Sequence, residues 1–289
     1  MGIEKYRPVD LSCIADRRIA CLSIDVEQDY GTLTRRPQYE GLKNIPILVK
    51  YLKDQSIPLT CFVQGSLFNT HPEKLNDFFD LDVEIEPHSY SHPGPEDMDF
   101  DFEIRKSISA YKDFTGAAPL GYRSPDGYIN GNAYYEILCT NGIKYDSSIF
   151  PSFRPGRFNH LNHPTKPYSV LSGKMIELPF SVLSPILRIP ISLSYLKLFG
   201  WYFLQALQRM ELPNLIVFDF HLHDLSRLSN FDQIFMQNKH SILHSWTFKD
   251  IYHTKGDQGF LVLQKFIDIL NAKKYEYNRV KDIYREIVQ

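Results

Sequence analysis

Short apolar runs alternate with longer amphipathic segments along most of the chain. Continuous apolar runs of this length predict strands buried on both faces, and apolar residues spaced three and four apart predict helices between them. The predicted strands are 18–24, 58–63, 83–86, 120–122, 144–146, 175–179 and 215–220; the predicted helices are 39–53, 72–79, 102–114, 133–140 and 260–270.

This alternation indicates an α/β fold with a largely parallel sheet. We expect a single domain over residues 1–289, with a core at about 18–225 and a C-terminal helical extension at about 230–289. Two segments depart from the alternation of strands and helices. Residues 181–207 are strongly apolar and predict either a buried helix with a loop, or a lid or interfacial helix that contacts lipid. Residues 230–258 are polar with little periodicity and indicate a long excursion from the core before the last helices.

Composition narrows the class of protein. With 32 basic and 34 acidic residues scattered along the chain, the net charge is -2, which gives no electrostatic case for nucleic acid binding. The four cysteines stand far apart without CxxC spacing, which indicates reduced thiols in the cytoplasm. Neither a secretory signal nor a spanning stretch of about 20 apolar residues is visible. We therefore expect a cytoplasmic protein without a membrane span.

Polar residues follow several predicted strands at the point where each strand ends. Asp25 and Glu27 follow the first strand, His88 the third, Arg123 the fourth and His221 the strand near the end. In a barrel of parallel strands these ends meet at one face, where barrel enzymes place their active sites. We expect the four clusters to converge.

His88 and His92, at i and i+4 after Pro87, predict a metal site on the first turn of a helix. A carboxylate from Glu27 or Asp25 supplies a third ligand and leaves positions open for water and substrate. Two histidines at this spacing also occur by chance on surface helices.

Asp25 ends an apolar run, where a buried carboxylate needs a partner. We interpret it as a general base with Arg123 as counter-charge, the alternatives being a turn cap and a surface ion pair. His221 is the candidate acid that protonates a leaving amine, with His223 as the alternative. Asp224 either orients His221 or caps a turn. Solvated or structural roles are expected for the remaining candidates His160, His163, His240, His244 and His253.

Seven short motifs occur in a fixed order along the chain. They are SIDVEQDYG (23–31), TCFVQG (60–65), HSYSHP (88–93), GYRSPDG (121–127), YDSSIFP (145–151), IELPFS (176–181) and FHLHDL (220–225). Together they resemble the polysaccharide deacetylase family, the NodB-homology carbohydrate esterases, in the subgroup whose first motif reads D-V-E.

The resemblance implies a distorted (β/α) barrel and a hydrolase that removes N-acetyl groups with the help of a divalent metal ion. Zinc is the first expectation for this ion, and other divalent transition metals are the alternatives. It implies Asp25 as base, Arg123 as its modulator and His221 as acid. It further implies an oxyanion contact from the backbone N–H of Asp126, and Glu27, His88 and His92 as metal ligands.

Three departures from the family pattern bear on these roles. The common D-D pair is absent, which leaves Asp29 as an alternative acidic ligand to Glu27. The late motif HLHD leaves His221 and His223 both open. The fourth motif lacks the Asp and Trp of other members, so the substrate-binding residues and the sugar stay open.

We expect an amino-sugar substrate, nucleotide- or lipid-linked, on the way to a surface polysaccharide, with peripheral membrane contact in the lipid-linked case. The alternatives are hydrolysis of a non-sugar C–N bond (formamide, ureide or cyclic amide) and an inactive glycan-binding barrel.

Overall fold

The computed structural model describes residues 6–31, 37–154, 158–237 and 242–289. Its strands are β1 (Arg7–Pro8), β2 (Ile19–Val26), β3 (Leu59–Val63), β4 (Val83–Pro87), β5 (Gly121–Tyr122), β6 (Tyr145–Asp146), β7 (Phe153–Arg154), β8 (Phe158–Asn159), β9 (Tyr168–Val170), β10 (Met175–Glu177), β11 (Leu215–His221) and β12 (Glu276–Tyr277). Its α-helices are α1 (Ile45–Asp54), α2 (Gly65–Thr70), α3 (Pro72–Leu75), α4 (Phe100–Thr115), α5 (Asn132–Thr140), α6 (Leu193–Arg209), α7 (Phe231–Gln237), α8 (Ile242–Lys249), α9 (Gly259–Ala272) and α10 (Val280–Val288).

The strands form a distorted (β/α) barrel of the predicted α/β class, whose hydrogen-bonded wall has two interruptions. One sheet has the parallel order β11-β2-β3-β4, with β12 also on β2, and the other has the order β1-β9-β10-β6-β5. Backbone hydrogen bonds bridge the two sheets at these interruptions. The Arg123 N–H donates to the Pro87 carbonyl at 3.3 Å, and the Ser181 N–H donates to the Val217 carbonyl at 3.1 Å.

Side chains of β2 alternate between two cores because successive residues of a strand face opposite sides. Leu22 and Ile24 pack with the surrounding helices, whereas Cys21 points inward to the cluster that contains Phe62 and Val217. Further along the inward face, Asp25 emerges at the strand end and is 6% exposed. The strand thus fixes the carboxylate at the mouth of the barrel.

The C-terminal segment packs onto this barrel. Strand β12 pairs with the start of β2, and the Val280 N–H at the start of α10 donates to Thr60 Oγ1 at 3.0 Å. The excursion at 230–258 carries α7, α8 and a π-helical turn at Asp250–Thr254. Hydrophobic periodicity there is too weak to reveal these helices.

The apolar segment 181–207 runs as extended chain into α6. Leu193, Leu196 and Leu204 are buried in the main core, while Trp201 and Tyr202 are 54% and 85% exposed. Within the described residues, no helix combines the length and the hydropathy that crossing a bilayer requires.

Candidate active site

The carboxyl ends of β2, β4, β5 and β11 bring the predicted residues together. In the β2–β11 ladder Asp25 lies opposite His221, and in the β2–β3 ladder it lies opposite Phe62. His88 follows β4 directly, and its N–H donates to the Val63 carbonyl of β3 at 2.8 Å. Residues that lie 63 to 196 positions from Asp25 in sequence therefore meet at one barrel mouth.

Glu27 and the two histidines form a compact, buried set. Glu27 Oε2 lies 3.1 Å from His88 Nε2 and 2.5 Å from His92 Nε2. One ligand atom from each of the three residues lies within 4.8 Å of the other two. Gly31 leaves room beside them, since a Cβ there would lie 3.3 Å from Glu27 Oε1 and from His92 Cε1.

The predicted helical turn for His88 and His92 is wrong. Pro87 belongs to strand β4, and the segment after it is a loop in which Ser89 and His92 have positive φ angles of 50° and 55°. Glu103 on α4 holds the loop by accepting the N–H groups of Tyr90 and Ser91, both at 2.7 Å. The two imidazoles converge because of this loop conformation.

Hydrogen bonding fixes the tautomer of one histidine. His88 Nδ1 lies 3.0 Å from the backbone carbonyl of Arg123, which can only accept, so Nδ1 carries the proton. The other ring nitrogen, Nε2, faces the Glu27 carboxylate at 3.1 Å. His92 Nδ1 is buried without a hydrogen-bond partner among the described residues.

Opposite charges couple Glu27 and His92. Burial raises the pKa of Glu27, but the charge of His92 and hydrogen bonds from both histidines outweigh burial and hold that pKa well below its usual range. Burial lowers the pKa of His92, and Glu27 more than offsets this, to about 9. The site therefore favours positive charge next to the carboxylate.

Arg123 is a buried cation, 1% exposed, that orients Asp25. Its Nη1 donates to Asp25 Oδ1 at 2.6 Å and to Asp219 Oδ1 at 3.0 Å, and its Nη2 to Ser23 Oγ at 2.9 Å and to Ser147 Oγ at 3.2 Å. Nε donates to the Ser147 carbonyl at 2.8 Å. All five N–H donors are thereby used, a pattern that lysine cannot reproduce.

Asp219 belongs to the site, although the sequence analysis did not single it out. Burial and the neighbouring Asp25 raise the pKa of Asp219 to about 7, while Arg123 and His221 oppose the rise. A signal existed, because Asp219 lies two residues before His221 and therefore on the same face of β11.

His221 is held by a second carboxylate. Its Nδ1 lies 3.1 Å from Asp224 Oδ2, which leaves Nε2 at 3.7 Å from Asp25 Oδ2 and 3.8 Å from Glu27 Oε1. Burial lowers the pKa of His221, but Asp219 and Asp224 raise it well above its usual value. The buried Lys197 of α6 donates to the Asp224 carbonyl at 2.8 Å and so fixes the turn.

Two alternatives left open by the sequence have other partners. His223 Nδ1 accepts the N–H of Tyr30 at 3.2 Å, and burial together with His221 lowers the pKa of His223 to about 3. Asp29 accepts the N–H groups of Glu40 and Gly41 at 2.8 and 2.9 Å. Both oxygens of Asp29 are thus engaged in hydrogen bonds to the backbone at Glu40 and Gly41.

Asp126 lies in the wall of the same pocket, which has a volume of about 130 Å³. It occupies a short helical turn, Pro125–Gly127, with a φ of 53°. This left-handed conformation costs a non-glycine residue about 1 kcal/mol or more and is concentrated at functional sites.

The remaining histidines have structural contacts. His160 Nδ1 lies 3.2 Å from the Phe150 carbonyl, His163 lies between the hydroxyls of Tyr6 and Tyr168, and His253 contacts Arg227. The positions of His240 and of the His244 side chain lie outside the described residues.

Known proteins resemble the chain in sequence and in fold. Residues 36–145 match the sequence model described as polysaccharide deacetylase. A peptidoglycan deacetylase of Helicobacter pylori is 29% identical over 117 residues, which cover 39% of this chain and 40% of that protein. The matched region thus spans two fifths of that relative.

Solved structures share the fold over nearly the whole chain. A Mycobacterium smegmatis protein provisionally assigned as a polysaccharide deacetylase superposes with a TM-score of 0.63 at 18% identity, over 99% of this chain and 95% of that one. An allantoinase gives a TM-score of 0.60 at 16% identity, over 94% and 91%. The chain is thus similar to the polysaccharide deacetylase family over residues 36–145 and shares its fold with these solved structures.

Proposed function

We propose that the protein is a metal-dependent hydrolase that removes the N-acetyl group from an amino-sugar substrate. The observation that carries the proposal is the convergence of Glu27, His88 and His92 with Asp25 and His221 at the mouth of one pocket. A carboxylate with two imidazoles, a base held by arginine and a histidine acid are the groups that amide hydrolysis requires.

The donor set fits a divalent cation. In the neutral form of His88, a lone pair of Nε2 faces a carboxylate oxygen of Glu27 at 3.1 Å. These two electron-rich atoms repel each other, and a bound cation would make their approach favourable. Two histidines with one carboxylate match a catalytic zinc site, and other divalent transition metals accept the same ligands. Such an ion supplies Lewis acidity for the acyl carbonyl and lowers the pKa of water.

The chain's own residues then move the protons. Asp25 Oδ1 is occupied by Arg123, so the second oxygen, Oδ2, accepts the proton of the attacking water. The backbone N–H of Asp126 stabilises the oxyanion. His221, oriented by Asp224, donates a proton from Nε2 to the departing amine.

The proposed substrate class rests on the matched segment and on the state of the cysteines. The curated relative is named a peptidoglycan deacetylase, which supports an N-acetyl amino sugar as the acyl carrier here. The four free thiols fit a reducing compartment such as the cytoplasm, where the sugar would be nucleotide- or lipid-linked. The barrel alone does not select the substrate, since an allantoinase shares it.

An acetate-release screen tests the proposal. The purified protein, supplied with Zn²⁺, is assayed with N-acetylated amino sugars and separately with allantoin. We expect acetate from at least one sugar, inhibition by a chelator and recovery when metal is added back. Turnover of allantoin alone would favour the cyclic-amide alternative, and no turnover of either class would favour an inactive glycan-binding barrel.

The leaving group tests the role of His221. The change His221→Ala should lower kcat for an N-acetyl sugar about 10²- to 10⁴-fold, the usual contribution of general acid catalysis. With p-nitrophenyl acetate, whose leaving group departs without a proton, the loss should be much smaller. Steady-state kinetics on both substrates measure the difference.

The control for this experiment is His223→Ala. Loss of the bond from Tyr30 should lower the melting temperature without changing the ratio of the amide rate to the ester rate. Equal losses on amide and ester for His221→Ala would contradict the assigned role.

A further inference from the structure

Arg154 provides a positive charge in the pocket wall that the proposed chemistry leaves unused. It ends strand β7 and lies opposite Phe158 in the β7–β8 hairpin, and both side chains line the pocket. The residue is half-buried. Among the described residues, no carboxylate lies within 4.0 Å of the Arg154 guanidinium, and no hydrogen bond holds the Arg154 side chain in place.

Two other arginines that are buried or half-buried have partners. Arg123 is saturated by five acceptors, and Arg188 donates to the carbonyls of Pro151 and His163 at 3.2 and 3.0 Å. A half-buried guanidinium without such partners loses hydration without compensation in the free protein. An anionic ligand group would provide that compensation through paired, charge-assisted hydrogen bonds.

The charge of Arg154 acts on two tyrosines that line the same pocket. Burial raises the pKa of the Tyr195 and Tyr252 hydroxyls, and the Arg154 charge opposes the rise at both. These tyrosines lie on α6 and on the π-helical turn, and they line the pocket together with Arg154 and Phe158. Arg154 therefore faces the space in which a substrate would lie.

The surrounding wall suits a sugar ring. Phe150 stacks on Phe180 with a centroid separation of 3.7 Å, and Phe158 stacks on Phe150 at 5.8 Å. Aromatic faces with hydroxyl groups nearby bind the apolar face and polar edge of a ring together. The wall thus combines a stacking surface with one free cation among the described residues.

We propose that Arg154 binds an anionic substituent of the substrate, so that the hydrolysed amide belongs to an amino sugar bearing a carboxylate or a phosphate. This inference rests on the proposed function for the identity of the ring. It concerns the substituent, which the catalytic groups do not contact.

Three probes of similar size separate the possibilities: N-acetylglucosamine, N-acetylmuramic acid and N-acetylglucosamine 1-phosphate. For the wild type we expect kcat/KM to be higher for one of the anionic probes than for the neutral sugar. In Arg154→Gln the ratio of anionic to neutral kcat/KM should fall about tenfold to a hundredfold, as for one lost charged hydrogen bond. Arg154→Lys should retain part of the ratio, and the preferred anion identifies carboxylate or phosphate.

Arg105→Gln is the matched control, because it removes the same charge from an exposed position on α4 that is paired with Asp101. Titration calorimetry of the same probes provides a second readout that requires no turnover. An anionic-to-neutral ratio unchanged by Arg154→Gln in both assays would overturn the inference. If the acetate-release screen finds no hydrolysed sugar but the anionic probes bind through Arg154, the hydrolase proposal fails, whereas the assignment of Arg154 as the site that binds the anionic substituent stands.

Discussion

Replacing Asp25 by asparagine should lower kcat for deacetylation about 10³-fold while the protein keeps its metal ion. The amide still accepts a hydrogen bond from Arg123, so the fold at the mouth of the barrel is preserved. It cannot take the proton from water, and general base catalysis contributes about 10² to 10⁴ in rate. Acetate release and metal content are measured on the same preparation.

Asp29→Asn is the matched control for this change. Asp29 is a nearby buried carboxylate, but its oxygens accept backbone N–H groups of Glu40 and Gly41. We expect its variant to retain metal and to stay within severalfold of the wild-type kcat. A rate for Asp25→Asn close to that of the wild type would exclude Asp25 as the base.

Arg123→Met should destabilise the protein by about 3–5 kcal/mol, because removing one partner leaves a buried charge uncompensated. The loss is large here since two carboxylates, Asp25 and Asp219, share this cation. The methionine also leaves Ser23 and Ser147 without their donors and removes the contact with the Phe62 ring, whose centroid lies 4.0 Å from the guanidinium carbon. Urea unfolding followed by circular dichroism gives the free energy of unfolding.

Arg105→Met, at an exposed ion pair on α4, serves as the comparison and should change stability by less than about 1 kcal/mol. Equal effects of the two substitutions would mean that Arg123 does not neutralise the buried carboxylates. A second variant, Arg123→Lys, keeps the charge but cannot reproduce five directed bonds, so we expect an intermediate loss.

The fold was predictable where hydrophobic patterning is strong. The predicted strand 18–24 covers most of β2, and the predicted helix 260–270 lies within α9. The two-residue strand β12 was not predictable from such patterns, because it is defined by pairing with the distant residues Ile19 and Ala20. Helix α10 was not singled out, although its apolar residues recur three and four positions apart. The predicted helix 39–53 is divided into a 3-10 turn, Glu40–Asn44, and α1, since tertiary bonds to Asp29 shape its start.

In the candidate site, residue identity was more predictable than conformation. Asp25, Glu27, His88, Arg123 and His221 meet as expected because each lies at or just after the carboxyl end of a parallel strand. The positive φ angle at His92 could not be read from residue spacing, since it depends on a loop held by Glu103. Arg154 and Asp219 were missed because an arginine in a hairpin and an aspartate in an apolar run have many ordinary explanations.

The metal content of the purified protein tests the central claim most directly. Wild type, Glu27→Gln, His88→Ala and the control His71→Ala are equilibrated with Zn²⁺, dialysed and analysed by mass spectrometry. The control alters a histidine whose ring hydrogen-bonds to Thr70, away from the candidate metal ligands. We predict a single tightly bound ion per chain in the wild type and in His71→Ala, and its loss in the other two variants. Absence of bound metal in the wild type, or full retention in His88→Ala, would contradict the account.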